Sequence, residues 1–334
     1  MKQGSIGSVR RKAVQVLPKS VDESPRLVLP GETEANPAVW LERNRALLDK
    51  MLQQHGAVLF RNFDFGGVPG FEEFIRTIGG ELMSYSYQST PRRLVEGKIY
   101  TSTEYPPHQT IPLHNEMSYA RTWPMKIGFY CVTSAKQGGE TPVADSRRVL
   151  VRIDQGIRDR FIEKKVMYVR NYHEGLDLSW STVFGTTDKA QVEAFCNEAG
   201  IEYAWLDDDR LRTTQICEAV AAHPQTGEQV WFNQAHLFHI SNLEPAVREA
   251  LRFTYPDGNY PRNAYYGDGS IIEDSVLAEI RKAFAEEMAV FPWQQGDVLL
   301  LDNMLMAHGR SPFVGPRKIV VGMAQPHQAA KSQM

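Results

Sequence analysis

The apolar runs of this chain are short, and that bounds what it can fold into. VLLL at 298–301 is among the longest, whereas a membrane-spanning helix needs roughly 20 apolar residues in succession. The expected products are strands and amphipathic helices around a buried core. QQGDVLLLDNMLMAHG (294–309) reads as a strand entered through a Gly-Asp turn, and RKIVVGMAQ (317–325) as a final strand. Earlier strands are predicted in AVLFRNF (57–63), KIYTSTEYP (98–106), IPLHNEMSYA (111–120) and MKIGFYCVTSA (125–135). TGEQVWFNQAHLFHI (226–240) reads as a turn and a strand.

Helices are predicted over 36–56, 70–80, 187–200, 244–255 and 274–293. The first has Asn36 as its cap, Pro37 at its first position and Gly56 as its stop. Val39, Leu41, Leu47, Leu48 and Leu52 form its apolar face. Neither an internal repeat nor a Pro/Gly/Ser linker divides the 334 residues. One domain over 25–325 is expected, with a β core, helices at its front and a mixed insertion between early and late strands. Residues 1–24 read as a flexible segment and 326–334 as a tail.

The formal net charge is −3 and the sequence pI about 6.3, which leaves no electrostatic case for nucleic acid. The basic cluster Arg10-Arg11-Lys12 reads as part of a solvated tail. Cys131, Cys196 and Cys217 contain no C-x-x-C, so neither a disulfide framework nor a zinc ribbon is expected. A reducing cytoplasm is the natural setting. The N-terminus has no apolar stretch of the secretory kind.

Within IPLHNEMSY, His114 and Glu116 flank Asn115. On a strand, residues i and i+2 share a face at roughly 6–7 Å. A neutral imidazole and a carboxylate so placed suit a divalent first-row metal, and Asn115 should point to the sheet's far side. Two ligands do not make a site. The third could come from His108, His173, His223, His236, His239, His308 or His327. His308 stands out, because it follows the apolar strand and adjoins Gly309, where another group can approach closely. Arg317 comes nine residues later, at the head of the next strand. H-x-carboxylate, a late His and then an Arg form the pattern of a 2-His-1-carboxylate iron centre with an anion anchor and open positions.

These residues give the chain a close resemblance to the taurine dioxygenase/clavaminate synthase-like family of Fe(II)- and 2-oxoglutarate-dependent dioxygenases, over roughly residues 35–325. PLHNE matches the first two ligands, AHGRSPF the third, and GPRKIVVGM the strand whose Arg binds the 5-carboxylate of 2-oxoglutarate. GGETPVAD adds Thr141, 27 residues after His114, where a Thr assists that carboxylate in the family. The resemblance implies an α+β fold with a double-stranded β-helix (jelly-roll) core and flanking helices. It implies Fe(II), 2-oxoglutarate and O2 as cofactors, with His114, Glu116 and His308 on the metal and Thr141 and Arg317 on 2-oxoglutarate. Arg310 is the rival anchor, because the segment from His308 to Arg317 is shorter than in clavaminate synthase. The family more often has Asp in place of Glu116. Glu points to the clavaminate synthase branch and argues against a halogenase, which has a small residue there.

YTSTEYPPHQTIPLHNEMSY and HPQTGEQVWFNQAHLFH resemble the branch that hydroxylates amino acids. That branch includes syringomycin-type enzymes acting on an aspartyl group held by a carrier protein. The residues themselves offer Ser102, Thr103, Glu104 and Gln109 before the ligands, and Tyr119 and Arg121 after them. Asn233 and His236 are further candidate pocket liners, with His239 turned to the opposite side. A Glu can hold a substrate amine and an Arg a carboxylate; a solvated or locally bonded side chain is the alternative for each. Loops near 84–95 and 176–190 are candidate lids. The resemblance implies hydroxylation of an unactivated C–H, with succinate and carbon dioxide as co-products. Desaturation or cyclisation by the same hydrogen abstraction stays open, as does a non-catalytic metal- or 2-oxoglutarate-binding module. A zinc hydrolase is disfavoured by the absence of H-E-x-x-H.

Overall fold

The computed structural model describes residues 24–31, 35–84, 87, 89–90, 92–103, 105–172, 177–206 and 209–329. The N-terminal part runs β1 (Arg26–Val28), α1 (Pro37–His55), β2 (Ala57–Phe60), α2 (Gly67–Gly79), β3 (Leu94–Glu96), β4 (Ile99–Thr101), β5 (Ile111–His114), β6 (Thr122–Thr133), β7 (Gln137–Gly138) and β8 (Val143–Asp145). A middle segment follows with α3 (Ser146–Arg152), α4 (Gln155–Lys164), β9 (Val166–Tyr172), α5 (Trp180–Phe184), α6 (Lys189–Ala199), β10 (Glu202–Trp205), β11 (Leu211–Cys217), β12 (Val220–Ala222), β13 (Gln229–Trp231), α7 (Ala235–Phe238), α8 (Pro245–Thr254), β14 (Arg262–Tyr266) and α9 (Asp274–Glu286). The chain closes with β15 (Val298–Asp302), β16 (Met306–Arg310), β17 (Phe313–Val314) and β18 (Lys318–Gln328).

Two sheets build the core. The larger has strand order β1-β2-β15-β6-β18-β4-β3, and the smaller β5-β16-β8. They face each other across Ile127, Phe129, Leu299, Leu301, Ile319 and Val321 on one side and Val143 and Met306 on the other. The outer face of the large sheet is covered by α1 and α2. Val298 and Leu300 pack there with Trp40, Leu48, Leu52, Phe71 and Ile75. Alternate residues of VLLL therefore enter different cores, which is why the run is continuously apolar. The middle segment forms its own sheet, β10-β11-β9-β14, flanked by helices.

Asn36 caps α1 by accepting from the amides of Ala38 and Val39, and Gly56 ends it in the left-handed conformation. Trp40 and Met51 are buried on its inner face, whereas Val39 and Leu47 are not. Other expectations are corrected. The helix expected over 274–293 stops at Glu286, because Ala289 pairs in extended form with Val143. The stretch 294–309 is two strands, not one. β15 lies in the large sheet and β16 in the small one, and Asp302 caps the corner by accepting from the amides of Met304 and Leu305. The final strand runs on to Gln328.

Asp302 is fully buried and pairs with Lys126 Nζ at 2.7 Å, with His223 Nε2 at 3.3 Å. Burial alone would raise its pKa, but Lys126 and His223 outweigh that and hold it below the usual carboxylate value. The stability it confers is present above the unfolded carboxyl pKa of about 3.9 and is lost as pH falls through the lower folded value. Lys126→Met strands the carboxylate. It is expected to destabilise the protein by about 3–5 kcal/mol, read as a lower urea midpoint at neutral pH. The gap from wild type should shrink under acid.

Candidate metal centre and its cavity

His114 ends β5, and β16 lies antiparallel beside it with His308 directly opposite. Gly309 makes that approach possible: a Cβ there would stand 2.6 Å from the carbonyl oxygen of Ile111. The two imidazole centroids are 4.7 Å apart. Glu116 does not continue the strand as expected. The chain turns after His114, with Met117 at φ +56°, and the turn carries the Glu116 carboxylate back towards His308, with Oε2 3.8 Å from Nε2. One ligand atom from each of His114, Glu116 and His308 lies within 4.8 Å of the others. Asn115 turns away from this cluster. Its amide donates to Ser146 Oγ at 2.9 Å and to the Asn303 carbonyl at 2.6 Å.

The donor set fits a divalent iron ion. His114 Nδ1 lies 2.8 Å from the Pro112 carbonyl, which fixes the ring as an Nδ1–H donor and leaves Nε2 with a lone pair. Burial lowers the pKa of His114 despite the nearby Glu116. It lowers that of His308 further, with His114 and Arg92 adding to the effect. Both rings are therefore neutral at pH 7, the form that ligates. Two neutral nitrogens and one carboxylate are the ligand types of open non-haem iron centres.

Thr141, Arg317, Ser102 and Thr103 line the same cavity as His114 and His308. Arg317 Nε donates to the Gly139 carbonyl at 2.8 Å, and Nη1 reaches Ser102 Oγ at 3.4 Å. Gly139 has φ +75°, and a Cβ there would press to 2.9 Å on Arg317 Cδ. The Gly-Gly turn thus both bends the chain and admits the arginine. Burial, with Arg310 nearby, pulls the pKa of Arg317 down to about 10. A buried guanidinium held by neutral acceptors suits an incoming carboxylate. Arg310 also borders the cavity, but its guanidinium is bonded to the carbonyls of Tyr105, Pro106 and Gln109 at 2.8–3.0 Å. It holds the 105–109 loop.

The other candidates fall elsewhere. Glu104 lies outside the described residues, as do parts of both candidate lids. Tyr119 is a core residue; its hydroxyl donates to the Tyr87 carbonyl and its ring packs on Phe238. Arg121 faces a separate groove of about 1140 Å³ shared with Trp123, Gly200 and Cys217, away from the metal ligands. Asn233 is fully buried and bonded to the Ala219 carbonyl and the Ala235 amide. His236 sits on α7 rather than on a strand, so the expectation of a strand through 240 fails beyond Trp231. Burial takes the His236 pKa down to about 3, and its Nε2–H donates to the Leu113 carbonyl, bracing β5 from behind.

Sequence reasoning missed three residues. Arg92 Nη2 donates to Glu116 Oε2 at 2.6 Å in a pair that is almost fully buried. Trp293 Nε1 donates to Thr141 Oγ1 at 3.1 Å. The Asn303 carboxamide bonds to the backbone of Glu116. Only Asn303 left a signal, as a polar residue directly after an apolar strand.

The family described as Taurine catabolism dioxygenase TauD, TfdA family matches residues 27–323. The dapdiamide synthesis protein DdaC of Enterobacter agglomerans is 43% identical over 279 residues, covering 84% of this chain and 85% of that protein. A clavaminate synthase-like protein of Arabidopsis thaliana is 31% identical over 312 residues, covering 90% of this chain and 89% of its own. Among solved structures, PvcB, an Fe, alpha-ketoglutarate dependent oxygenase from an isonitrile synthetic pathway, superposes with a TM-score of 0.51 at 16% identity, over 89% of this chain and 84% of that one. The two facing sheets are the jelly-roll core of this group. The chain belongs to the taurine catabolism dioxygenase TauD/TfdA family, enzymes that draw on Fe(II), 2-oxoglutarate and O2.

Proposed function

We propose that this protein hydroxylates an unactivated C–H bond of an amino acid, either free or held as an aminoacyl group on a carrier protein, in specialised metabolism. The observation that carries the reading is one cavity lined by His114, His308, Thr141 and Arg317, with the Glu116 carboxylate clustered with the two histidines. Similarity to a dapdiamide synthesis protein supports an amino-acid-derived substrate. Residues 25–325 would act as one dioxygenase domain, with its middle segment as an insertion walling the core. Its unpaired, buried cysteines suit the cytoplasm.

His114, Glu116 and His308 would hold Fe(II). Bound there, Fe(II) with 2-oxoglutarate and O2 supplies the oxidation that couples loss of carbon dioxide to attack on a C–H bond. Arg317 pairs with the distal carboxylate of 2-oxoglutarate. Trp293 is a donor only, so Thr141 accepts from it and is left with its own O–H to donate to that carboxylate. Ser102 stands beside Arg317, Thr103 lines the same cavity, and Glu104 is the partner for a substrate amine.

Anaerobic addition of Fe(II) and 2-oxoglutarate should give a weak visible charge-transfer band. Succinate formation should then depend on one member of a panel of amino acids, tested free and carrier-bound, with a product heavier by one oxygen atom. Loss of two hydrogens instead would mean desaturation or ring closure. A band without substrate-dependent succinate across the panel would overturn the catalytic reading in favour of a binding module.

A further inference from the structure

Glu116 poses a backbone problem. It lies beyond the end of β5, in a turn that reverses through Met117, so no strand neighbour satisfies its N–H and C=O. One side chain does both. Asn303 Oδ1 accepts from the Glu116 amide at 2.8 Å, and Asn303 Nδ2 donates to the Glu116 carbonyl at 2.9 Å. The same Nδ2 donates to the Pro124 carbonyl at 2.9 Å, and the Asn303 side chain is fully buried. The carboxamide thus acts as a one-residue strand beside Glu116.

Its own backbone is held as firmly. The Asn303 amide donates to the Met125 carbonyl at 2.9 Å, and its carbonyl accepts from Asn115 Nδ2 at 2.6 Å. Asn115 is bonded in turn to Ser146, and its carbonyl accepts from Gln234 Nε2 at 2.7 Å. Asn303 also stands at the corner where the chain passes from β15 in the large sheet to β16 in the small one, five residues before His308. One corner of the chain therefore grips Glu116 and leads into the strand that carries His308, while strand register sets His114 against His308.

We propose that Asn303 is the positioning residue that presents Glu116 to the metal, acting through the Glu116 backbone and not by ligation. The proposal rests on the reading of His114, Glu116 and His308 as metal ligands. Asp keeps an acceptor for the Glu116 amide but sets oxygen against the carbonyls of Glu116 and Pro124, and Ala loses all three bonds.

The test uses purified, metal-free protein with Co(II) alone as the probe, followed by calorimetry and by visible ligand-field bands. Asn303→Asp is expected to bind Co(II) about 10–100-fold more weakly than wild type, with shifted bands and a native near-UV dichroism spectrum. Asn303→Ala, which adds no charge, is the second variant should the first fail to fold, and the same loss is expected. Leu48→Ala in α1 controls for lost stability. It makes a cavity on the outer face of the large sheet, the face turned away from the small sheet that carries His114 and His308, and should keep Co(II) affinity within about twofold. Glu116→Ala and His308→Ala test the underlying reading, and unchanged Co(II) binding in both would sink it. If those two lose the metal while folded Asn303 variants bind as wild type, only the positioning proposal is overturned.

Discussion

Arg317→Met is expected to weaken 2-oxoglutarate binding by about 30-fold or more and to leave metal binding in place. The estimate follows from the 2–5 kcal/mol typical of losing one partner of a buried, hydrogen-bonded charge pair. In this chain the guanidinium is fixed by Gly139 and Ser102, with an aromatic face from Phe313 beneath it. It is thus preorganised and pays little entropy on binding. Anaerobic titration of the Fe(II) protein with 2-oxoglutarate, read by the visible band, measures the loss. Arg310→Met is the contrasting variant. It removes the bonds to Tyr105, Pro106 and Gln109, so stability should fall more than 2-oxoglutarate affinity. The opposite ranking would make Arg310 the anchor. Affinity should also decline as pH rises through about 10, where burial and Arg310 let Arg317 lose its proton.

What the sequence made legible is what ligand chemistry and hydrophobic burial require locally. Imidazoles and a carboxylate were expected in those types, and a His beside a Gly after an apolar strand was a readable third member of the cluster. Asn36, Pro37 and Gly56 bounded α1 by backbone chemistry alone. The turn at Glu116 was hidden, because the alternation of IPLHNEMSY runs on past the true end of the strand. The group that satisfies the Glu116 amide lies 187 residues away. Arg92 was hidden for the same reason, since nothing in its own stretch marks a partner in the turn after β5, 24 residues on. Tyr119, Asn233 and His236 misled in the other direction. Each is polar and near the ligands in sequence or motif, yet each is bonded to a buried backbone group that only the packed fold brings near.

Glu116→Ala and His308→Ala should both abolish metal binding at practical concentrations, a loss of well over about 10²-fold, since even residues that only orient ligands are worth 10–100-fold. They should differ in the metal-free protein. Glu116→Ala also removes the carboxylate from Arg92, at a site where both side chains are almost fully buried. That breaks a buried ion pair from one side, and a penalty of up to about 3–5 kcal/mol is expected. His308→Ala deletes a neutral ring packed on Phe129 and leaves the Arg92–Glu116 pair standing, so it should destabilise less. Glu116→Gln separates charge from shape: it keeps an oxygen acceptor for Arg92, and its metal-free stability should fall between the other two. Thermal unfolding with and without Fe(II), under anaerobic conditions, reads both effects. Added metal should raise the midpoint of wild type, because it binds the folded state alone, and should leave these variants unmoved. A rise in Glu116→Ala as large as in wild type would place the metal on other residues.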